Sequence, residues 1–226
     1  MKFHEKNISE KVLYVATTLL IIATILLCLN YPFRNSIYLF LLVFGTVFWQ
    51  RKKLQSFFQK IKNQKIIWVF YILAGWIWMI FFEFQLDRLP FNPKPIANLI
   101  IGLGFYLPYF ALWFKLVKRY QFNFFEVFYL ASFGRLFFDL LITRKLLMPA
   151  VFIFNPLFAL IAIFARTITT ITLFGTLTTL PSLLLPERKS DYQKSLKQYL
   201  IGLTPNFLAA GAFIVWAIIL KIVFKA

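Results

Sequence analysis

The sequence predicts an all-α fold: a polytopic helical membrane protein with seven or eight transmembrane helices and a basic interfacial helix after the second. Three observations support this. Of the 226 residues, 61% are hydrophobic and 15% are charged, whereas soluble domains are about 45–50% apolar and about 25% charged. Many apolar runs approach the roughly 20 residues that cross a bilayer. Most basic residues lie between these runs. No internal repeat or low-complexity linker interrupts the chain, so we predict one integral membrane domain over 1–226.

The net charge of +17 is also a feature of many nucleic-acid-binding proteins. Here, however, the basic residues separate long apolar runs and do not cover a polar domain. We therefore interpret them as signals for membrane topology and as contacts to lipid headgroups, and we predict no nucleic-acid partner.

The apolar segments predict the spans in chain order. Segment 12–33 follows a basic tail and contains no small-residue cleavage site, so we predict a retained signal-anchor helix. Segment 146–185 would be near 60 Å long as one helix. We therefore expect it to be broken, at Asn155-Pro156 or at Pro181, because proline disrupts helix interiors. The candidate spans are 12–33, 36–49, 66–86, 96–116, 124–142, a part of 146–185, and 200–224.

The orientation follows from the basic loop 51–65, which carries six basic residues and no acidic one. Basic loops stay in the cytoplasm, so we place this loop and the N-terminus there, in the cell membrane. Two topologies remain open: segment 146–185 crosses once, which gives seven spans, or crosses twice with a turn near Arg166, which gives eight. The basic-residue balance favours one crossing only slightly. Three tryptophans near predicted cytoplasmic ends are typical of interface aromatics: Trp49, Trp68 and Trp113.

Loop 51–65 itself has an amphipathic pattern. Its apolar residues recur with helical spacing at 54, 57, 58 and 61, opposite several lysines. Such a helix lies in the headgroup plane and prefers anionic lipid. The alternative is a loop that only enforces topology. The predicted headgroup-binding residues are Arg51, Lys52, Lys53, Lys60, Lys62 and Lys65.

A second loop, before the last span, contains Ser190 and Gln193 in capping-box spacing. Tyr192, Leu196 and Tyr199 then share one helical face. This predicts either another interfacial helix or an N-terminal extension of the last span.

Ionisable residues inside spans are costly and are functional candidates. Arg135 and Asp139 lie four apart in the fifth span, with Ser132 one turn earlier on the same face. The pair is either a structural device that fixes helix packing, or the lining of a polar cavity that binds an anion and couples transport to protonation of Asp139.

Arg166 precedes a threonine-rich run in which Thr169, Thr172 and Thr176 share a face. These hydroxyls either hold helices together or line a path for substrate, with Arg166 attracting a phosphate or carboxylate. Glu83 and Asp87 close the third span, four apart. They either form a carboxylate rim capable of acid/base work or simply end the helix at the water interface.

The single cysteine, Cys28, and the single histidine, His4, exclude an intramolecular disulfide, a His/Cys zinc site and histidine-dependent catalysis within one chain. No nucleotide-binding loop or hydrolase motif occurs, and we predict no catalytic residue, metal or cofactor. Three hypotheses remain: a small transporter or carrier for a small or amphiphilic anion, which we prefer; a membrane enzyme that acts on lipid through Glu83 and Asp87; and a non-catalytic scaffold or accessory subunit.

Overall fold

The computed structural model describes residues 12, 15–26, 34–85, 95–142, 156–185 and 194–224. These residues form helices without any strand, which confirms the all-α prediction. The eight helices in this part of the chain are α1 (Val15–Leu26), α2 (Arg34–Gln59), α3 (Gln64–Gln85), α4 (Pro95–Tyr120), α5 (Phe124–Leu141), α6 (Pro156–Ser182), α7 (Leu196–Gly202) and α8 (Pro205–Phe224).

Three helical segments are long and apolar enough to cross a membrane: Leu99–Tyr120, Pro156–Ser182 and Leu196–Val223. Two more, Val15–Leu26 and Gln64–Ile80, are apolar but shorter within the described residues. Helix α5 has 18 residues, and its ionisable side chains are Glu126, Arg135 and Asp139. The membrane character predicted from composition is therefore supported by three candidate spans, and the total of seven or eight stays a prediction.

The start of α5 follows from its capping residues. Asn123 Oδ1 accepts a hydrogen bond from the Glu126 backbone N–H at 2.9 Å, and Glu126 Oε2 accepts one from the Asn123 N–H at 2.7 Å. This reciprocal capping box satisfies two backbone donors that have no partner within the helix. The helix ends at Leu141, so the span predicted over 124–142 is confirmed as a helix.

Helix α6 is continuous over residues 156–182. It begins at Pro156 and ends at Ser182, with Pro181 one residue before the end, so both prolines expected to interrupt the segment lie at the ends of this helix. Proline fits the first helical position because no helical partner awaits its missing N–H, and near the last turn it forfeits only one bond. The turn considered near Arg166 is wrong, because Arg166 lies inside an unbroken helix.

The helices pack closely around α4, α5 and α6. Helix α5 lies against α6, while α4 packs between α3 and α8. Helices α5 and α6 approach closely at Gly175 of α6, where a Cβ atom would lie 2.6 Å from both the Phe128 ring and Ser132 Oγ of α5. Small residues allow such backbone contacts between membrane helices. Ser132 Oγ also lies 2.7 Å from the Ile171 carbonyl oxygen and hydrogen-bonds to it.

The sequence prediction separated a short span at 36–49 from an interfacial helix at 51–65. The break between them is wrong, because one continuous helix, α2, covers residues 34–59. Neither proline nor a cap interrupts the sequence at residue 50, so the helix continues to Gln59. Asn63 then starts α3, since its Oδ1 accepts a hydrogen bond from the Lys65 N–H at 3.0 Å.

Residues 44–58 of α2 contact three other helices in turn. The Phe44 ring lies 6.3 Å from Phe124 at the start of α5. Gln55 Nε2 donates to the Leu183 carbonyl just after α6 at 3.2 Å, and the Phe58 ring lies 5.9 Å from Phe70 of α3. This stretch is about 21 Å long as a helix. Because the three residues that it contacts all lie near the same end of the bundle, the stretch runs across that end and not along the bundle axis.

Candidate functional site

The Arg135–Asp139 pair predicted from the sequence is present and nearly buried. Arg135 Nε lies 3.2 Å from Asp139 Oδ1, and the side chains are 17% and 7% exposed. The Arg135 Nε–H forms no hydrogen bond to a described residue, so the contact with Asp139 is ionic. The guanidinium also lies 4.3 Å from the centre of the Phe174 ring of α6 and 5.5 Å from that of Phe138. Aromatic faces attract cations, so two rings and one carboxylate stabilise this charge.

Polar side chains from α4 and α8 lie next to this pair. The Tyr109 hydroxyl is hydrogen-bonded to Thr178 Oγ1 of α6 at 2.8 Å. Trp113, Asn206 and Arg135 lie near the same hydroxyl. Asn206 Nδ2 packs against α5 so closely that a Cβ atom on Gly134 would lie 3.1 Å from it. Four helices thus contribute polar groups to one place in an otherwise apolar bundle.

Three of these groups are buried N–H donors that lack a hydrogen-bond partner among the described residues: Arg135 Nε, Trp113 Nε1 and Asn206 Nδ2. We call these three side chains the donor cluster. Trp113 and Asn206 are fully buried, and a buried polar group without a partner costs about 1–3 kcal/mol. All three groups have acceptor oxygens as their natural partners, whereas Asn206 Oδ1, which is also buried without a hydrogen bond among the described residues, takes a donor. The three N–H groups are suited to an oxygen of a phosphate, carboxylate or carbonyl.

Helix lengths place the donor cluster inside the bundle. Arg135 lies eleven residues after the start of α5, and Trp113 lies seven before the end of α4. Both helix ends are at the same end of the molecule, so the depth is roughly 10–17 Å at 1.5 Å per residue. This is about a third to a half of the 30 Å hydrocarbon core.

The sequence did not identify the whole cluster. Trp113 was expected at the membrane interface, and this was wrong because its ring is fully buried in the bundle. The sequence signal that was available was the position of the polar residues Trp113 and Asn206 within or beside apolar runs. Their meeting with Arg135 depends on how α4, α5 and α8 are rotated against each other.

The predicted threonine face is engaged in hydrogen bonds within the protein. Thr172 Oγ1 accepts a hydrogen bond from Thr24 of α1 at 2.8 Å and donates to the Leu20 carbonyl at 3.3 Å. Thr176 donates to the Thr172 carbonyl at 2.7 Å and Thr169 to the Ala165 carbonyl at 2.8 Å. The Thr172 bonds join α6 to α1, as expected where hydroxyls hold helices together, whereas the Thr176 and Thr169 bonds stay within α6. Ligand binding by Thr169, Thr172 and Thr176 stays a prediction.

The remaining predicted site residues are only partly described. Arg166 lies half-buried in α6, and the α6 side chain that covers the Arg135 guanidinium is Phe174. Glu83 belongs to α3, but its side chain lies outside the described residues, and so does Asp87 altogether. The carboxylate rim and the binding role of Arg166 therefore stay predictions.

A second ion pair joins α5 to the segment before α7. Glu126 Oε2 lies 2.9 Å from Lys194 Nζ, and Glu126 Oε1 accepts a hydrogen bond from the Tyr199 hydroxyl at 2.9 Å. Gln198 Oε1 accepts a hydrogen bond from the Ser195 N–H at 2.8 Å at the start of α7. The capping-box spacing predicted for Ser190 and Gln193 lies outside the described residues.

Basic residues from distant parts of the sequence meet at one end of the bundle. Lys118 at the end of α4 donates to Gln64 at the start of α3. Phe122 stacks on Tyr199 of α7, with ring centroids 6.2 Å apart, and Tyr71 near the start of α3 bonds to Ser182 at the end of α6 at 2.8 Å. We call this end, with its charged side chains, the basic end. It comprises Arg51, Lys52, Lys53, Lys60, Lys62, Lys65, Lys115, Lys118, Arg119, Lys194 and Lys197.

The charge at this end is almost entirely positive. Among the residues whose side chains are described, only Arg135, Arg166 and Lys221 are basic and lie elsewhere, and Glu126 is the one acidic residue at the basic end. Glu126 is already neutralised by Lys194. The six predicted headgroup residues thus lie together with five other basic side chains.

The geometry of the molecule is accordingly an apolar helical bundle with a charged end and a buried group of hydrogen-bond donors. Comparisons of the chain with protein-family models, with curated proteins and with solved structures find no significant match.

Proposed function

We propose that the chain is a seven-span integral protein of the cell membrane that carries a small or amphiphilic anion, with its N-terminus in the cytoplasm. The starts of α3 and α5 and the ends of α4 and α6 all lie at the basic end. This alternation is what successive membrane crossings produce, and a basic end belongs on the cytoplasmic side. The unbroken α6 supports the seven-span version over the eight-span version.

The donor cluster is the observation that carries the proposed anion binding. Its three donors come from three helices, one of them belongs to the Arg135 guanidinium, and Arg135 and Trp113 lie roughly 10–17 Å inside the bundle. Transporter sites of this kind lie near the bilayer midplane, where irregular or polar groups are otherwise avoided. An anion there receives a charge-assisted bond from Arg135 and neutral bonds from Trp113 and Asn206.

Asp139 gives this site a route to proton coupling. Its carboxylate neutralises Arg135 across 3.2 Å, so an incoming anion competes with it for the same cation. Protonation of Asp139 removes that competition and leaves the positive charge for the anion. In this proposal, one proton enters with each anion.

The test uses dodecyl phosphate as a probe, with dodecyltrimethylammonium as a cationic control of the same chain length. Binding to the purified full chain in nanodiscs is measured by calorimetry, together with the proton uptake that accompanies it. We expect saturable binding of the phosphate alone, and the affinity should fall about tenfold or more in Arg135→Gln, since a bond to a charged group contributes about 1.5–3 kcal/mol. In Asp139→Asn the binding should persist and the proton uptake should be lost.

Lys221→Gln is the matched control, because Lys221 is an exposed basic residue in the last turn of α8. It should bind like the wild type. Equal binding of the cationic probe, or unchanged affinity in a folded Arg135→Gln protein, contradicts the proposal.

A second candidate function, a non-catalytic scaffold, is supported by a different observation. The hydroxyls of Thr172, Thr176 and Thr179 make hydrogen bonds inside the protein, as expected for packing devices. Co-purification of a membrane partner in stoichiometric amount, together with no probe binding, would favour this function over the carrier.

A further inference from the structure

Residues 44–59 of α2 form an amphipathic stretch that lies across the basic end. The face turned to the bundle is buried or half-buried through Phe44, Val47, Gln55 and Phe58, which recur with helical spacing. The apolar face predicted from the sequence is thus used largely against the protein itself. What remains exposed is the opposite face, and its chemistry decides what it contacts.

That exposed face combines two aromatic side chains with basic ones. Trp49 is 88% exposed and Phe57 is 62% exposed, and Lys52, Lys53 and Lys60 are also exposed. Tryptophan is enriched at the level of lipid headgroups, where its amphipathic ring contacts both chains and polar groups. Lysine side chains near the same level extend their charge toward the phosphates.

The charges of the other helices add to this face. Lys115, Lys118 and Arg119 of α4 and Lys197 of α7 are exposed at the same end. Described side chains include no free carboxylate there, because Glu126 is paired with Lys194 and bonded to Tyr199. The field of the basic end therefore attracts anions from a broad area.

We propose that the basic end is a binding surface for the headgroups of anionic phospholipids, and that residues 44–59 of α2 lie in the headgroup layer. Three helical segments of the same bundle are long and apolar enough to span a membrane, so this end is held at the bilayer surface and its nearest anions are the phosphates of the surrounding leaflet. Exposed Trp49 and Phe57 favour the same partner, since a soluble polyanion offers no acyl boundary for them. The proposal does not depend on the carrier activity, because the donor cluster lies deeper in the bundle.

The test is lipid selection by the full chain. The protein is reconstituted with equal amounts of phosphatidylglycerol and phosphatidylcholine, extracted in mild detergent, and the retained lipids are counted by native mass spectrometry. We expect the wild type to retain phosphatidylglycerol in excess. The triple variant Lys52→Gln, Lys53→Gln, Lys60→Gln should reduce this excess about tenfold, and 0.5 M salt should weaken the selection in the wild type.

Two controls separate charge from folding. The triple Lys→Arg variant at the same positions keeps the charge and should retain the selection. Lys60→Gln and Lys221→Gln each remove one exposed charge, at opposite ends of the bundle. Only Lys60→Gln should lower the excess of phosphatidylglycerol. Equal retention of both lipids by the wild type, an unchanged excess in the triple glutamine variant, or an equal effect of Lys221→Gln would overturn the proposal.

Discussion

In the first half of α6, residues 156–171, the most exposed side chains are Leu, Ile and Phe, among them Phe164 at 66% exposure. In the second half, residues 172–182, most side chains are buried, and the four threonines at positions 172, 176, 178 and 179 are fully buried. A helix in water shows the reverse arrangement, with apolar residues inside and hydroxyls outside. In the second half, Thr172 bonds to α1 and Thr178 to α4, so hydroxyls there mediate helix contacts, while the exposed apolar side chains of the first half are suited to lipid.

The largest expected effect tests whether the first half of α6 faces lipid or water. A Phe164→Arg substitution places a charge on its exposed face. In a bilayer this makes insertion of α6 less favourable by about 2.5–3.5 kcal/mol at mid-depth, whereas in water an exposed arginine costs almost nothing. The insertion of α6 is measured with glycosylation sites placed on either side of it in microsomes. Phe164→Leu serves as the control and should insert like the wild type. Equal insertion of the arginine variant would show that this half does not face lipid.

A smaller effect is expected from filling the closest contact of the second half. In Gly175→Leu the Cβ atom of the new side chain would lie 2.6 Å from the Phe128 ring and 2.6 Å from Ser132 Oγ. Overpacking of this kind costs about 1–3 kcal/mol. The loss is read from the midpoint of unfolding in a denaturing detergent. Gly211→Leu is the matched control, since nothing lies within 4 Å of a Cβ at that glycine. If both leucine variants unfold at the same midpoint, the close packing of α5 on α6 is refuted.

The smallest effect distinguishes two threonines of the same helix. Thr172 bonds to another helix, because it contacts Thr24 and the Leu20 carbonyl of α1. In the hydrogen bond described for Thr169, its hydroxyl donates to the Ala165 carbonyl of the same helix. Thr172→Val should therefore destabilise the protein by about 0.6–1.7 kcal/mol, the range of interhelical bonds in membranes, and Thr169→Val by less than about 0.6 kcal/mol. Thermal unfolding of both variants in the same detergent measures the difference. The opposite order would mean that the threonines do not act through contacts with α1.

The sequence predicted local features well where one short segment decides them. The α5 boundaries follow from a capping asparagine and an apolar run, and the i, i+4 spacing of Arg135 and Asp139 already brings the two side chains together on one helix. It failed at α2, where the change from apolar to basic residues near residue 50 resembled a helix end. Polarity changes do not break a helix, because its backbone bonds continue unless proline or a cap intervenes.

The site was predicted only in part for a similar reason. Arg135 was identified because a charge in a span stands out in the sequence, whereas Trp113 looked like an interface residue. The Phe174 ring that lies over the Arg135 guanidinium comes from another helix, α6. The periodicity of one segment does not indicate which residue of another segment lies opposite it.

By itself, the sequence determined that the chain forms apolar helices suited to lipid and that most of its basic residues fall in segments predicted for the cytoplasmic side of the membrane. Both properties are sums over local residues, namely transfer free energy along each segment and charge along each loop. Only the tertiary structure decided that α2 crosses the basic end and that Arg135, Trp113 and Asn206 come together. That outcome depends on the rotation and close approach of helices, which glycines such as Gly134 and Gly175 permit at particular points.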